Sequence, residues 1–149
     1  MTQTVTNGTA ELLQTVYRSV KDAENQILDL MPSVRDEQLK SDLTVQISAF
    51  EAFASRAAKH LAEEGARPED AGMLTRAKEK MRAMKEGMRD ASAAHLARIL
   101  IERASASAAE LLHAVREAEN GRASEAALRL ARDACAYEEK VARELKSYL

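Results

Sequence analysis

The sequence predicts an all-α chain, an antiparallel four-helix bundle with an extra linking helix before the third long helix. Three observations carry this. Five Gly and two Pro interrupt 149 residues dominated by Ala, Leu, Glu, Arg and Lys, the residues that lose least on entering a helix. Apolar side chains recur at three- and four-residue spacings through long stretches, the pattern of a helix with one buried face. The strong breakers, Pro32, Gly65 with Pro68, and Asn120-Gly121, fall where antiparallel helices would turn.

Thr9 is placed to cap a first helix whose face is Leu13, Val16, Tyr17, Val20, Ile27 and Met31, ending at Pro32. A second helix starts near Ser33 or Asp36 and carries Leu39, Leu43, Ile47, Phe50, Ala54, Ala57 and Leu61 to a stop at Gly65. The link between them is a few residues long, which makes the pair antiparallel. From Glu69 to Glu119 no Pro intervenes, yet two faces appear. Leu74, Ala77, Met81, Met84 and Met88 lie about 150° around a continuous wheel from Leu96, Leu100, Ala104, Leu111, Val115 and Ala118. A break between Gly87 and Ser92, with Asp90 or Ser92 as the new N-cap, resolves the conflict as a short Met-rich helix followed by a long one. The Met face reads first as core and second as an adaptable docking surface. The last helix runs from about Ser124 to the C-terminus.

These elements make residues 1–149 one bundle domain, with residues 1–8 a flexible N-terminus, and the length suffices for a core without disulfides. Twenty-two basic residues are interleaved with twenty-four acidic ones, so there is no basic stripe for nucleic acid. No uncharged apolar run approaches the roughly 18 residues of a membrane span, so no membrane partner is expected. Residues 1–13 lack the regions of a secretory signal, and the single Cys135 fits a reducing compartment. The expected location is the cytoplasm.

The residue that stands out is Glu138. It lies near the centre of the apolar stripe of Ala131, Ala134, Cys135, Val141, Ala142, Leu145 and Leu149, where an unpaired carboxylate is costly. Glu24 has a similar place in the first helix. At compatible heights on the other stripes stand Gln46 and Ser107, with Tyr17 a turn or two away, so Glu24, Gln46, Ser107 and Glu138 are expected to form one buried polar layer. Such a layer can be a register-fixing hydrogen-bond network, or it can hold a hard cation.

The stretch from His95, through the small residues Ala104 to Ala108, to the closing YEEKVARELKSYL resembles the C-terminal half of small bacterial ferritin-like four-helix-bundle proteins. The Met73–Met88 segment is also similar, and VYRSVKDAENQILDLMPSV more loosely so. The resemblance implies a ferritin-like fold, which does not by itself imply iron chemistry. A dimetal site of that kind needs two Glu-x-x-His motifs. The one present, Glu110 to His113, lies opposite Leu100, Leu111 and Val115 and reads as a solvated face. A reduced site would use Glu24 and Glu138 as metal ligands, with Gln46 or His95 added, for iron or another divalent metal. His60 and His95 read first as structural, and Cys135 has no neighbouring His to activate it.

The first reading is therefore a non-catalytic module without a cofactor, acting by protein association with itself or with another protein. The alternatives are a metal-binding or redox protein with a reduced carboxylate site, and an amphipathic surface-coat protein.

Overall fold

The chain turns where its breakers stand. The computed structural model describes residues 2–121 and 123–149, with side chains from residue 8 onward. Of the segment 1–8 expected to be flexible, residues 2–8 are described as the first turns of a helix and residue 1 lies outside the described residues. Among the described residues everything regular is helical: α1 (Thr2–Leu30), α2 (Glu37–Glu63), α3 (Met73–Arg89), α4 (Ala93–Ala118) and α5 (Glu125–Leu145), with 3-10 turns at Met31–Ser33 and Lys146–Tyr148. Asp36, Ser92 and Ser124 cap α2, α4 and α5, each side chain accepting from the backbone N–H three residues on. Gly65 and Gly121 end α2 and the α4 turn with φ of 74° and 84°, a conformation that costs any other residue about 1–2 kcal/mol.

Two sequence expectations fail at the ends. Thr9 does not cap α1, because the helix is already formed there. Its buried hydroxyl instead accepts from the Ser124 N–H at 2.9 Å, tying α1 to the start of α5. At the other end α5 stops at Leu145, and Leu149 is exposed rather than part of the stripe. The Tyr148 hydroxyl donates to Asp42, which fastens the C-terminal turn to α2.

α1 packs most closely on α2, and α4 on α5; α1 also meets α4 and α5, and α2 meets α5. The four share one core in which Leu13, Val16, Leu39, Leu43, Phe50, Leu96, Leu111 and Leu130 are fully buried. Each such side chain contributes about 1.5–3 kcal/mol through removal from water. Tyr137 of α5 lies between Phe50 and Phe53 of α2, its ring centroid 5.2 Å from that of Phe50 in an edge-on contact.

α3 lies at the edge of this core, against α1 and the Met31–Ser33 turn, and adds only the partly buried Ala83 to it. Its end comes so close that a Cβ on Gly87 would lie 2.5 Å from the Ser33 Cβ and nearer still to its Oγ, so only Gly fits. Its other anchor is polar. Arg76 forks onto Asp29 of α1 with two hydrogen bonds of 3.0 and 3.1 Å, and Asp29 is buried beneath it. The Met face expected to be core is not: Met73, Leu74, Met81, Met84 and Met88 are all exposed. α3 is bound by its polar side.

Candidate functional site

Glu138 is the most deeply buried ionisable group, with 0% of its surface exposed. α5 carries it inward because it lies on the same face as Ala131, Ala134, Val141 and Leu145, all buried. Its counter-charge is Arg103 of α4, whose Nη2 lies 4.0 Å from Oε2. That fork is engaged elsewhere: Nη2 donates to the Ser19 carbonyl at 2.9 Å and Nη1 donates to Ser107 Oγ. Neither Glu138 oxygen has a well-formed hydrogen bond. Burial therefore pushes the Glu138 carboxyl up to about 7, with Arg103 and the Ser107 hydroxyl pulling against it. Burial likewise lowers the Arg103 guanidinium, against the pull of Glu138 and Asp22.

Between these groups lies a cavity of about 10 Å³, lined by Gln26, Gln46, Phe50, Leu100, Arg103 and Glu138 among others. That is room for about one water. Gln26 Oε1, Gln46 Oε1 and Arg103 Nε share the lining and also lack partners, so the polar groups that would hold such a water are in place. Outside it, a cavity of about 290 Å³ opens between α1, α3 and α4, walled by Asp22, Asp29, Arg76, Glu79, Arg82 and Glu86. Gln26 and Arg103 line both spaces. Four carboxylates and three guanidinium groups line the outer cavity, a near balance that suits no particular ion.

Of the expected polar layer, the structure brings together Gln46, Ser107 and Glu138. Glu24 is not among the residues around Glu138. It is buried one helical turn from Lys21, whose Nζ lies 3.3 Å away, while Ala23, Gln26 and Ile27 are what α1 turns toward the inner cavity. Tyr17 is also elsewhere: its hydroxyl donates to Asp70 at 2.7 Å, and burial with that carboxylate pushes it up to about 12. With Gln14, which bonds Arg67 and Glu69, it pins the α2–α3 link onto α1. His95 sits at the start of α4, Nε2 3.1 Å from Glu86 and Nδ1 3.9 Å from Asp90. These contacts lie on opposite edges of the ring, so the two carboxylates and the imidazole cannot converge on one ion. No group of three His, Cys, Asp or Glu side chains suited to a metal occurs among the described residues.

His113 is exposed beside Glu117, and His60 contacts Glu63 at 2.9 Å. Cys135 donates through Sγ to the Ala108 carbonyl at 3.3 Å, and burial raises its thiol further from reactivity. The sequence reading missed Arg103. Its signal was available: a carboxylate at the centre of a stripe demands a cation, and Arg103 lies one turn from Ser107 at the stripe's edge.

The other feature is the outer surface of α3. Its inward side is Arg76, Glu79, Ala83, Glu86 and Gly87, and everything else on the helix is exposed. Met73 and Met88 are more than four-fifths exposed. No helix among the described residues is long and apolar enough to cross a membrane. No family model, curated protein or solved structure matches this chain.

Proposed function

We propose that α1, α2, α4 and α5 form a ferritin-like four-helix bundle that serves as a non-catalytic scaffold in the cytoplasm, and that the protein acts by association through α3. The observation that carries this reading is the inversion of α3. A helix folded only for stability turns its apolar stripe inward, yet here the polar side is held by Asp29 and Ser33 and five large apolar side chains face out. A contiguous stripe of that kind marks an interaction surface.

The polar layer is assigned a structural role, fixing the register of α4 and α5. An added cation at Glu138 would stand close to the Arg103 guanidinium, 4.0 Å from the same carboxylate, and like charges there oppose its entry. The cavity beside Glu138 has room for a water and none for a substrate. The support for the network over a metal site is thus the guanidinium itself.

Site-specific photo-crosslinking in cells tests the association. A photoreactive residue at position 84, on the stripe, should yield adducts; the same residue at position 45, an exposed apolar site on α2, should not. Absence of adducts at position 84 would refute the reading.

A further inference from the structure

We propose that α3 is an in-plane docking helix for an anionic lipid bilayer, inserting Met73, Leu74, Met81, Met84 and Met88 and setting Lys78, Lys80 and Lys85 among the headgroups. The inference rests on the association reading and names the occupant of the same surface.

Three features of α3 point to a bilayer. The first is the layout of charge. Six basic residues against two acidic give α3 a net charge of +4, within a chain whose total is −2. Arg76, Arg89 and His95 account for the ion pairs of Glu79, Glu86 and Asp29, and the three lysines enter none among the described residues. At 100° per residue the five apolar side chains and Ala77 fill an arc of about 100°. Lys80 borders one edge within about 20°, and Lys85 and Lys78 border the other within about 40°. An apolar stripe flanked on both sides by long cationic side chains is what an interfacial helix needs, because the stems follow the stripe down while the ammonium groups stay at headgroup level.

The second feature is geometric. α3 stays fastened along its polar side by Arg76–Asp29 and by Gly87 against Ser33, and so offers a partner a single face. A flat surface needs only that face. The bundle lies on the opposite side of the helix, so α3 can lie flat, about 25 Å long, without the rest of the fold obstructing it.

The third is composition. The stripe has no aromatic anchor, and Lys, which protein interfaces avoid, lines both its edges. A second copy docked stripe to stripe would bring two +4 helices together and is disfavoured by repulsion. The lack of a membrane-crossing helix does not bear on a helix that lies along the surface.

The test is flotation of the purified full chain with vesicles of phosphatidylcholine alone or phosphatidylcholine mixed with phosphatidylglycerol. The protein should float with the anionic vesicles and not with the neutral ones, and should be released by added salt. Replacing Lys78, Lys80 and Lys85 together by Gln should lower binding on the order of a hundredfold. Met81→Glu with Met84→Glu should abolish it while the melting curve stays unchanged, since both sites are exposed. Failure of the native chain to bind anionic vesicles, or binding that survives either variant, overturns the proposal. If binding fails but position 84 crosslinks to protein, the occupant is a protein and the association reading stands. If both fail, both readings fall.

Discussion

Arg103 and Glu138 face each other across the core, Nη2 of one 4.0 Å from Oε2 of the other, with Ser107 beside both. The pair is imperfect. The guanidinium donates to a carbonyl and a hydroxyl instead of to the carboxylate, so Glu138 has the charge nearby without the hydrogen bonds that offset desolvation.

A pH dependence follows. Glu138 titrates near 7 when folded and near its ordinary 4.5 when unfolded. Between those values the folded state holds a proton that the unfolded chain has lost, so stability falls as pH rises through this window and levels off above it. The difference corresponds to roughly 3 kcal/mol. Glu138→Gln removes this contribution. Chemical denaturation at pH 4.5 and pH 8 should show the variant gaining about that much relative to the native chain at the higher pH.

Arg103→Met leaves the carboxylate without its counter-charge. At pH 8 the carboxyl can answer by binding a proton, which costs about 1.4 kcal/mol for a group at about 7. Ser19 and Ser107 also lose their donor, so this single change should cost about 1–3 kcal/mol. The double variant Arg103→Met, Glu138→Met should recover most of the loss, because two apolar side chains of similar length fill the space without a charge to desolvate. A double-mutant cycle in urea measures the coupling.

Gly87→Ala should detach the end of α3 locally. The new methyl group meets Ser33, and since α3 touches the core only through Ala83 it can yield without the rest of the core unfolding. Amide exchange should quicken across residues 73–89 and remain slow in α4 and α5. Adding Ser33→Gly should restore the native rates.

Arg76→Ala should loosen the other end of the same helix. It strands Asp29, buried on α1, and removes two charge-assisted hydrogen bonds, a loss of about 1–3 kcal/mol. The effect again belongs to α3 and is read as faster exchange there. Asp29→Asn should be milder, because the amide oxygen still accepts from Arg76.

The helix breaks were legible because each rests on local chemistry. Asp36, Ser92 and Ser124 bond N–H groups three residues away, and Gly65 and Gly121 adopt a φ that other residues resist. Glu138 was legible for a related reason: its place on the wheel is fixed by its own helix. What covers a stripe is a tertiary fact, and there the reading failed. The period of Met81, Met84 and Met88 reveals an apolar face but not its direction, which is set by Asp29 and Ser33 far away in sequence. Glu24 shows the same limit. Its height matched Glu138, but the rotation of α1 turns Ala23 and Ile27 to the inner cavity and leaves Glu24 with Lys21. Thr9 looked like a cap because only the contact with Ser124 reveals its role.

Association through α3 requires that the helix wear its apolar face outward. Brief oxidation of the purified chain with hydrogen peroxide, followed by peptide mass spectrometry, measures this directly. Met81 and Met84 should oxidise as fast as methionine in an unstructured peptide, and the partly buried Met31 distinctly more slowly. Protection of Met81 and Met84 equal to that of Met31 in the free, monomeric protein would show that the stripe packs inward instead.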